Sequence, residues 1–221
     1  MRPAALFLAD GTRFDGRGLE FEAIALGEAV FYTGMTGYEE ALTDPSYAGQ
    51  ILTFTYPMIG NYGISYGAAQ YPRACVAGTV IKRLSEHPSH HAASLGLREW
   101  LNDQRIPTLT GADTRSITIA LREHGTIWAA LAVGEGAIER AERELVMFAR
   151  SATTKELVAS VATRYEHRAG NPHGPGVVVI DCGVKRAVLR ELAALHVAIT
   201  VVPFDASAQE ILAHDPHAIV I

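Results

Sequence analysis

The sequence predicts an α/β protein in two parts: a mixed α/β N-terminal domain over residues 1–150, then the start of a doubly wound domain over residues 177–221. Three observations carry that prediction. From Val177 onward, short and continuously apolar strands alternate with helical segments, as in a parallel sheet covered on both faces. Before residue 150, strand-like and helix-like stretches are interleaved. Between the two, Ala169-Gly170-Asn171-Pro172-His173-Gly174-Pro175-Gly176 is dense in glycine and proline, the composition of a linker, which is expected over residues 151–176.

The first element is a hairpin: Ala4 to Ala9 is apolar, Asp10-Gly11 supplies a tight turn, and Thr12 to Phe14 returns. A strand follows over Ala29 to Thr33. Thr36-Gly37-Tyr38-Glu39 has the form of a capping box, and the short helix it opens must stop near Thr43, because Pro45 pushes Asp44 out of helical geometry. Ile51 to Tyr56 alternates β-branched and aromatic residues and reads as a strand, as does Cys75 to Lys82. Leu97, Trp100 and Leu101 have helical spacing, as do Ile117, Ala120 and Leu121. Asp113 is the expected N-cap of the latter helix and Gly125 its terminator. Ile127 to Val133 returns to strand character, and Ile138, Ala141, Leu145 and Phe148 form the apolar stripe of a further helix.

Past the linker the expected order is strand (Val177 to Ile180), helix (Val184 to Leu195), strand (Ile199 to Val202), helix (Ala208 to Ala213) and strand (Ala218 to Ile221). A sheet of about three strands leaves an edge and a face open. Residues 177–221 are therefore read as the incomplete opening of a larger domain.

Composition narrows the function classes. Apolar residues make up 48% and charged residues 19% of the 221, which is a folding rather than a disordered balance. A net charge of −5 argues against a general nucleic-acid binder. Two cysteines, Cys75 and Cys182, lie far apart with no C-x-x-C pair, so neither a zinc knuckle nor a disulfide framework is indicated. The apolar stretch near Met1 is too short for a signal peptide, and no run approaches the roughly 20 apolar residues of a membrane span. A reduced, cytoplasmic protein without a membrane partner is the expectation.

Several local patterns imitate reactive sites. Gly63-Ile64-Ser65-Tyr66-Gly67 is formally the G-x-S-x-G of a nucleophile elbow, but no strand precedes it and no helical pattern follows. His87, His90 and His91 lack a carboxylate or cysteine partner at helical spacing, and Pro88 interrupts them, so a solvated loop is expected rather than a metal site. Cys182 follows a strand without a glycine two residues before it; it and Cys75 are read as small buried hydrophobes. Gly183 to Lys185 lacks the G-x-G-x-x-G spacing of a dinucleotide turn. Lys185 and Arg186 open a helix where basic charge opposes the helix dipole, a cost that a surface or interface role would explain.

Three longer stretches are more specific. Residues 33–50, Thr33-Gly34-Met35-Thr36-Gly37-Tyr38-Glu39-Glu40-Ala41-Leu42-Thr43-Asp44-Pro45-Ser46-Tyr47-Ala48-Gly49-Gln50, lead into Thr53-Phe54-Thr55-Tyr56-Pro57-Met58-Ile59-Gly60-Asn61-Tyr62-Gly63. Gly111-Ala112-Asp113-Thr114-Arg115 precedes Leu121-Arg122-Glu123-His124-Gly125, and Asp181-Cys182-Gly183-Val184-Lys185-Arg186 opens the second domain. Together they resemble the small subunit of carbamoyl-phosphate synthetase, over the whole chain and most weakly from Leu145 to Pro175.

The resemblance implies an N-terminal domain that packs on a large synthetase subunit and borders a glutamine site. It also implies that the second domain is the start of a class I glutamine amidotransferase with a Cys-His-Glu catalytic set. Ammonia released from L-glutamine would pass to the large subunit, where ATP and magnesium act; no cofactor is expected in this chain. The family's nucleophile sits in a Gly-x-Cys-x-Gly turn, and the resemblance places it beyond Ile221, so this chain alone is expected to be inactive. The competing expectation is a non-catalytic module that only docks on the synthetase. By motif, Ser46 of Asp44-Pro45-Ser46-Tyr47 matches the serine that contacts bound glutamine. A serine in such a turn can instead hydrogen-bond its own backbone.

Overall fold

A computed structural model describes residues 1–151 and 155–221. The chain divides into two compact units, Met1–Ala152 and Thr153–Ile221.

In the first unit the strands are β1 (Arg2–Leu8), β2 (Arg13–Gly18), β3 (Ala23–Tyr32), β4 (Gln50–Phe54), β5 (Met58–Ile59), β6 (Gly78–Ile81), β7 (Arg83–Leu84), β8 (Thr108–Thr110) and β9 (Ile127–Val133). The helices are α1 (Tyr38–Leu42), α2 (Leu97–Asp103), α3 (Thr114–His124) and α4 (Glu135–Ser151). Seven strands close a barrel in the order β1-β2-β8-β6-β4-β3-β9, while β5 and β7 form a separate parallel pair. The β3–β4, β4–β6 and β6–β8 pairs are parallel and the other barrel pairs antiparallel.

Strand alternation sorts the core. Ala4, Leu6 and Leu8 of β1 pack with Ala129, Leu131 and Val133 of β9, joined by Ile117 and Leu121 of α3. The alternate residues Ala5, Phe7, Ala130 and Ala132 face Ala137, Ala141 and Leu145 of α4. Alanines on both sides let the helix lie close to the strands. A third cluster joins Tyr38, Ala41 and Leu42 of α1 and Leu97, Trp100 and Leu101 of α2 to Leu52 and Phe54 of β4 and Ile81 of β6.

Asp113 caps α3 by accepting from the amides of Arg115 and Ser116, and Gly125 ends that helix at φ 71°. The capping box expected at Thr36 and Glu39 is not formed. The N-cap of α1 is Gly37, at φ 85°, with no side-chain cap of its own, and Glu39 is buried and bonded elsewhere. The strand expected over Cys75 to Lys82 is shorter, Gly78–Ile81, preceded by an isolated bridge between Ala48 and Val76.

The second unit has α5 (Lys155–Val161), β10 (His167–Gly170), β11 (Gly176–Asp181), α6 (Arg186–Ala194), β12 (Ala198–Pro203), α7 (Ala208–Leu212) and β13 (Ala218–Val220). Its sheet runs β10-β12-β11-β13, with β11 parallel to both β12 and β13. Val177, Val179, Ile199 and Val201 meet Leu189 and Leu192 of α6 on one face; Val178 and Val202 meet Ile211 of α7 on the other.

The linker expected over residues 151–176 is corrected by this unit. Residues 152–154 lie outside the described residues, but 155–161 are helical and His167–Gly170 pair antiparallel with β12. The exposed polar strand β10 covers an edge that three parallel strands alone would leave open.

Candidate functional site

The segment around Ser46 is held by side chains rather than by regular structure. Tyr38 is fully buried; its hydroxyl donates to the Gly63 carbonyl (2.8 Å) and accepts from the Tyr62 amide (3.2 Å). Tyr62 stacks on it with centroids 4.0 Å apart, and its hydroxyl accepts from the amides of Gly37 (2.7 Å) and Tyr38 (3.1 Å). The first amides of α1 thus have a phenol as their cap, which removes the need for the Thr36 side chain. Burial pushes both phenols above their ordinary pKa, keeping them protonated and able to donate at neutral pH.

The next residue of α1, Glu39, is 1% exposed. Its Oε2 accepts from the amide (2.8 Å) and the hydroxyl (3.1 Å) of Ser65. Oε1 is buried without a hydrogen-bond partner. Ser65 Oγ also accepts from the Gly67 amide (3.3 Å). The serine of the G-x-S-x-G string is therefore a tether between a loop and α1. The left-handed residues of that string are Gly63, at φ 76°, and Tyr66, at φ 60°, not the serine.

Thr43 ends α1. Its hydroxyl donates to the Glu39 carbonyl (2.7 Å) and accepts from the Gln70 amide (2.9 Å). Its carbonyl accepts from the Cys75 thiol (3.4 Å). Next, Asp44 caps a 3-10 turn, Pro45–Tyr47, its Oδ1 accepting from the Ser46 amide at 2.9 Å. The carboxylate of Asp44 therefore closes this turn, not the Ser46 hydroxyl. The Ser46 side chain lies exposed. A hydroxyl so placed offers one donor and two acceptor sites to a polar ligand.

The two cysteines differ. Cys75 is buried, and burial pushes its thiol up to about 11. Cys182, expected to be buried, is exposed instead, because β11 ends one residue before it. The neighbouring Asp181 is buried and uses both oxygens: Oδ1 accepts from the amides of Gly183 (2.9 Å) and Val184 (2.7 Å), and Oδ2 from that of Thr163 (2.7 Å). The amides that follow Cys182 are thus occupied and form no oxyanion hole.

His87, His90 and His91 are exposed, and the rings of the last two lie 4.3 Å apart. Among the described residues no group of three or more His, Cys, Asp or Glu side chains could hold a metal ion. Lys185 is the N-cap of α6 and Arg186 its first residue, exposed. Among the described residues no helix is long and apolar enough to cross a membrane.

Sequence reasoning passed over Thr43, Tyr62 and Asp181. The first two bond to segments some 25 residues away, which no local spacing reveals. Asp181 could have been found by its place at the end of an apolar strand, where an acceptor is needed for the turn amides.

Residues 6–131 match the family profile described as carbamoyl-phosphate synthase small chain, CPSase domain. The chain is 43% identical over 221 residues to the carbamoyl phosphate synthase small chain of Methanopyrus kandleri, covering 99% of this chain and 61% of that one. It is 42% identical over 217 residues to that of Symbiobacterium thermophilum (97% and 60%). The corresponding chain of Lactococcus lactis subsp. cremoris is 39% identical over 222 residues (100% and 61%). The chain thus spans about 60% of the length of these relatives.

Proposed function

The chain belongs to the carbamoyl-phosphate synthase small-chain family, and we propose that it acts there as the glutamine-using subunit. In this reading L-glutamine is hydrolysed on the small chain. The ammonia passes to a large synthetase subunit, which joins it to bicarbonate with ATP and magnesium, for arginine and pyrimidine synthesis. The second unit is the opening of the amidotransferase domain.

The observation that carries the proposal is the Ser46 turn: its backbone is closed by Asp44 and the serine is exposed, which leaves it accessible to a polar ligand. Ser46 is given a binding role, bonding the polar groups of glutamine. Amide hydrolysis also needs an activated thiolate, a proton carrier and oxyanion donors. Neither cysteine here supplies them. Cys75 is buried, protonated and bonded to the Thr43 carbonyl; Cys182 has its neighbouring amides committed to Asp181.

Two assays test this. The 221-residue chain given glutamine releases no ammonia, whereas the full gene product combined with a large chain makes carbamoyl phosphate from glutamine. Sustained ammonia release by the chain that vanishes in Cys182→Ser would overturn the placing of the nucleophile elsewhere. A full gene product that binds the large chain yet supports no glutamine-dependent synthesis would leave a docking module.

A further inference from the structure

We infer that Thr43 is the positioning residue of the glutamine site, an inference that rests on the assignment of Ser46 to glutamine. Ser46 is exposed, and its turn is short. Its place is set by what anchors the chain just before it, and that anchor is Thr43, 1% exposed.

Hydrogen bonds converge there from two directions. Within α1, the Thr43 hydroxyl donates to the Glu39 carbonyl (2.7 Å), fixing the side-chain rotamer. From the segment leading to β6, the Gln70 amide donates to the same hydroxyl (2.9 Å) and the Cys75 thiol to the Thr43 carbonyl (3.4 Å). The Cys75 amide donates to the carbonyl of Leu42 (2.9 Å), so two successive carbonyls are clamped. From this fixed base the chain runs through Asp44 and Pro45, whose ring restricts φ, to Ser46.

A valine has nearly the shape of threonine but neither donates nor accepts. Thr43→Val leaves the buried Gln70 amide without this acceptor and loosens the base of the turn, which keeps only the Cys75 bonds to the Leu42 and Thr43 carbonyls. The Ser46 hydroxyl then loses its fixed position, and a displacement near 1 Å weakens an oriented contact markedly. Thr43→Ser retains both hydroxyl bonds.

The test uses the full gene product assembled with a large chain, with both glutamine-driven and ammonia-driven synthesis measured. Thr43→Val raises the KM for glutamine about tenfold, the effect falling on KM rather than kcat, while ammonia-driven synthesis persists. Thr43→Ser returns KM to near the wild-type value, and amide hydrogen exchange at Gln70 is faster in the valine variant only. A Thr43→Val enzyme with wild-type KM, beside a Ser46→Ala enzyme whose KM is raised, overturns the role of Thr43 alone. Ser46→Ala with unchanged KM removes the reading beneath it, and the inference falls too. Loss of both glutamine- and ammonia-driven activity in Thr43→Val, unrescued by serine, marks a general structural role and contradicts positioning.

Discussion

Replacing Asp181 by alanine unfolds the second unit. The carboxylate, 5% exposed, takes the amides of Thr163, Gly183 and Val184 at 2.7–2.9 Å. Truncation leaves three backbone donors without the acceptor they have in the native fold. Hydrogen bonds to a charged group contribute about 1.5–3 kcal/mol each, so for three of them a loss of about 4.5 kcal/mol or more is expected. A unit as small as Thr153–Ile221 has total stability of about that size. Asp181→Asn is the informative intermediate: its oxygen can still serve Gly183 and Val184, but its NH2 group then faces the Thr163 donor. Urea denaturation followed by hydrogen exchange orders the three as Asp, then Asn, then Ala, with lost protection confined to β10 to β13. Equal stability of all three would refute the structural role of this side chain.

Gly27→Ala is expected to cost about 3 kcal/mol or more in the first unit. A methyl group built on Gly27 of β3 would overlap the Gly49 carbonyl oxygen. The obstacle is backbone, which cannot rotate away as a side-chain tip could. Relief requires β3 and the start of β4 to part, opposing the Glu28–Gln50 pairing and the 2.8 Å bond between those two side chains. Gly49 lies close after the Ser46 turn, so the disturbance reaches the candidate site through covalent continuity. Gly67→Ala is the control: its new methyl would meet only Ser65 Oγ at 3.8 Å, and the melting temperature should stay near that of the parent chain. A Gly27→Ala chain as stable as the Gly67→Ala chain would contradict the close approach of the two strands.

The elements with strong local signals were legible in the sequence. Ile127 to Val133, the Asp113 cap, the Gly125 stop and the alternating elements after Val177 follow from periodicity and capping chemistry. The barrel was not. Its closure rests on β1 pairing with β9, from opposite ends of the unit, and on three parallel pairs, relations that no window of sequence contains. Thr36 and Glu39 have the spacing of a capping box, yet tertiary contacts won: Tyr62 took the helix amides and Ser65 took the glutamate. The linker reading failed because glycine and proline density marks the turn between β10 and β11 as readily as a flexible tether. Ser46 was reached through resemblance; which side chain closes the turn is a matter of local geometry, and composition does not decide between Asp44 and Ser46.

The most direct measurement is the KM for glutamine of the assembled synthase carrying Ser46→Ala, with ammonia-driven synthesis measured alongside. A serine that bonds the substrate contributes about 1–2 kcal/mol, so KM should rise roughly five- to thirtyfold while ammonia-driven synthesis continues. An unchanged KM for glutamine would contradict the assignment of this turn to the substrate.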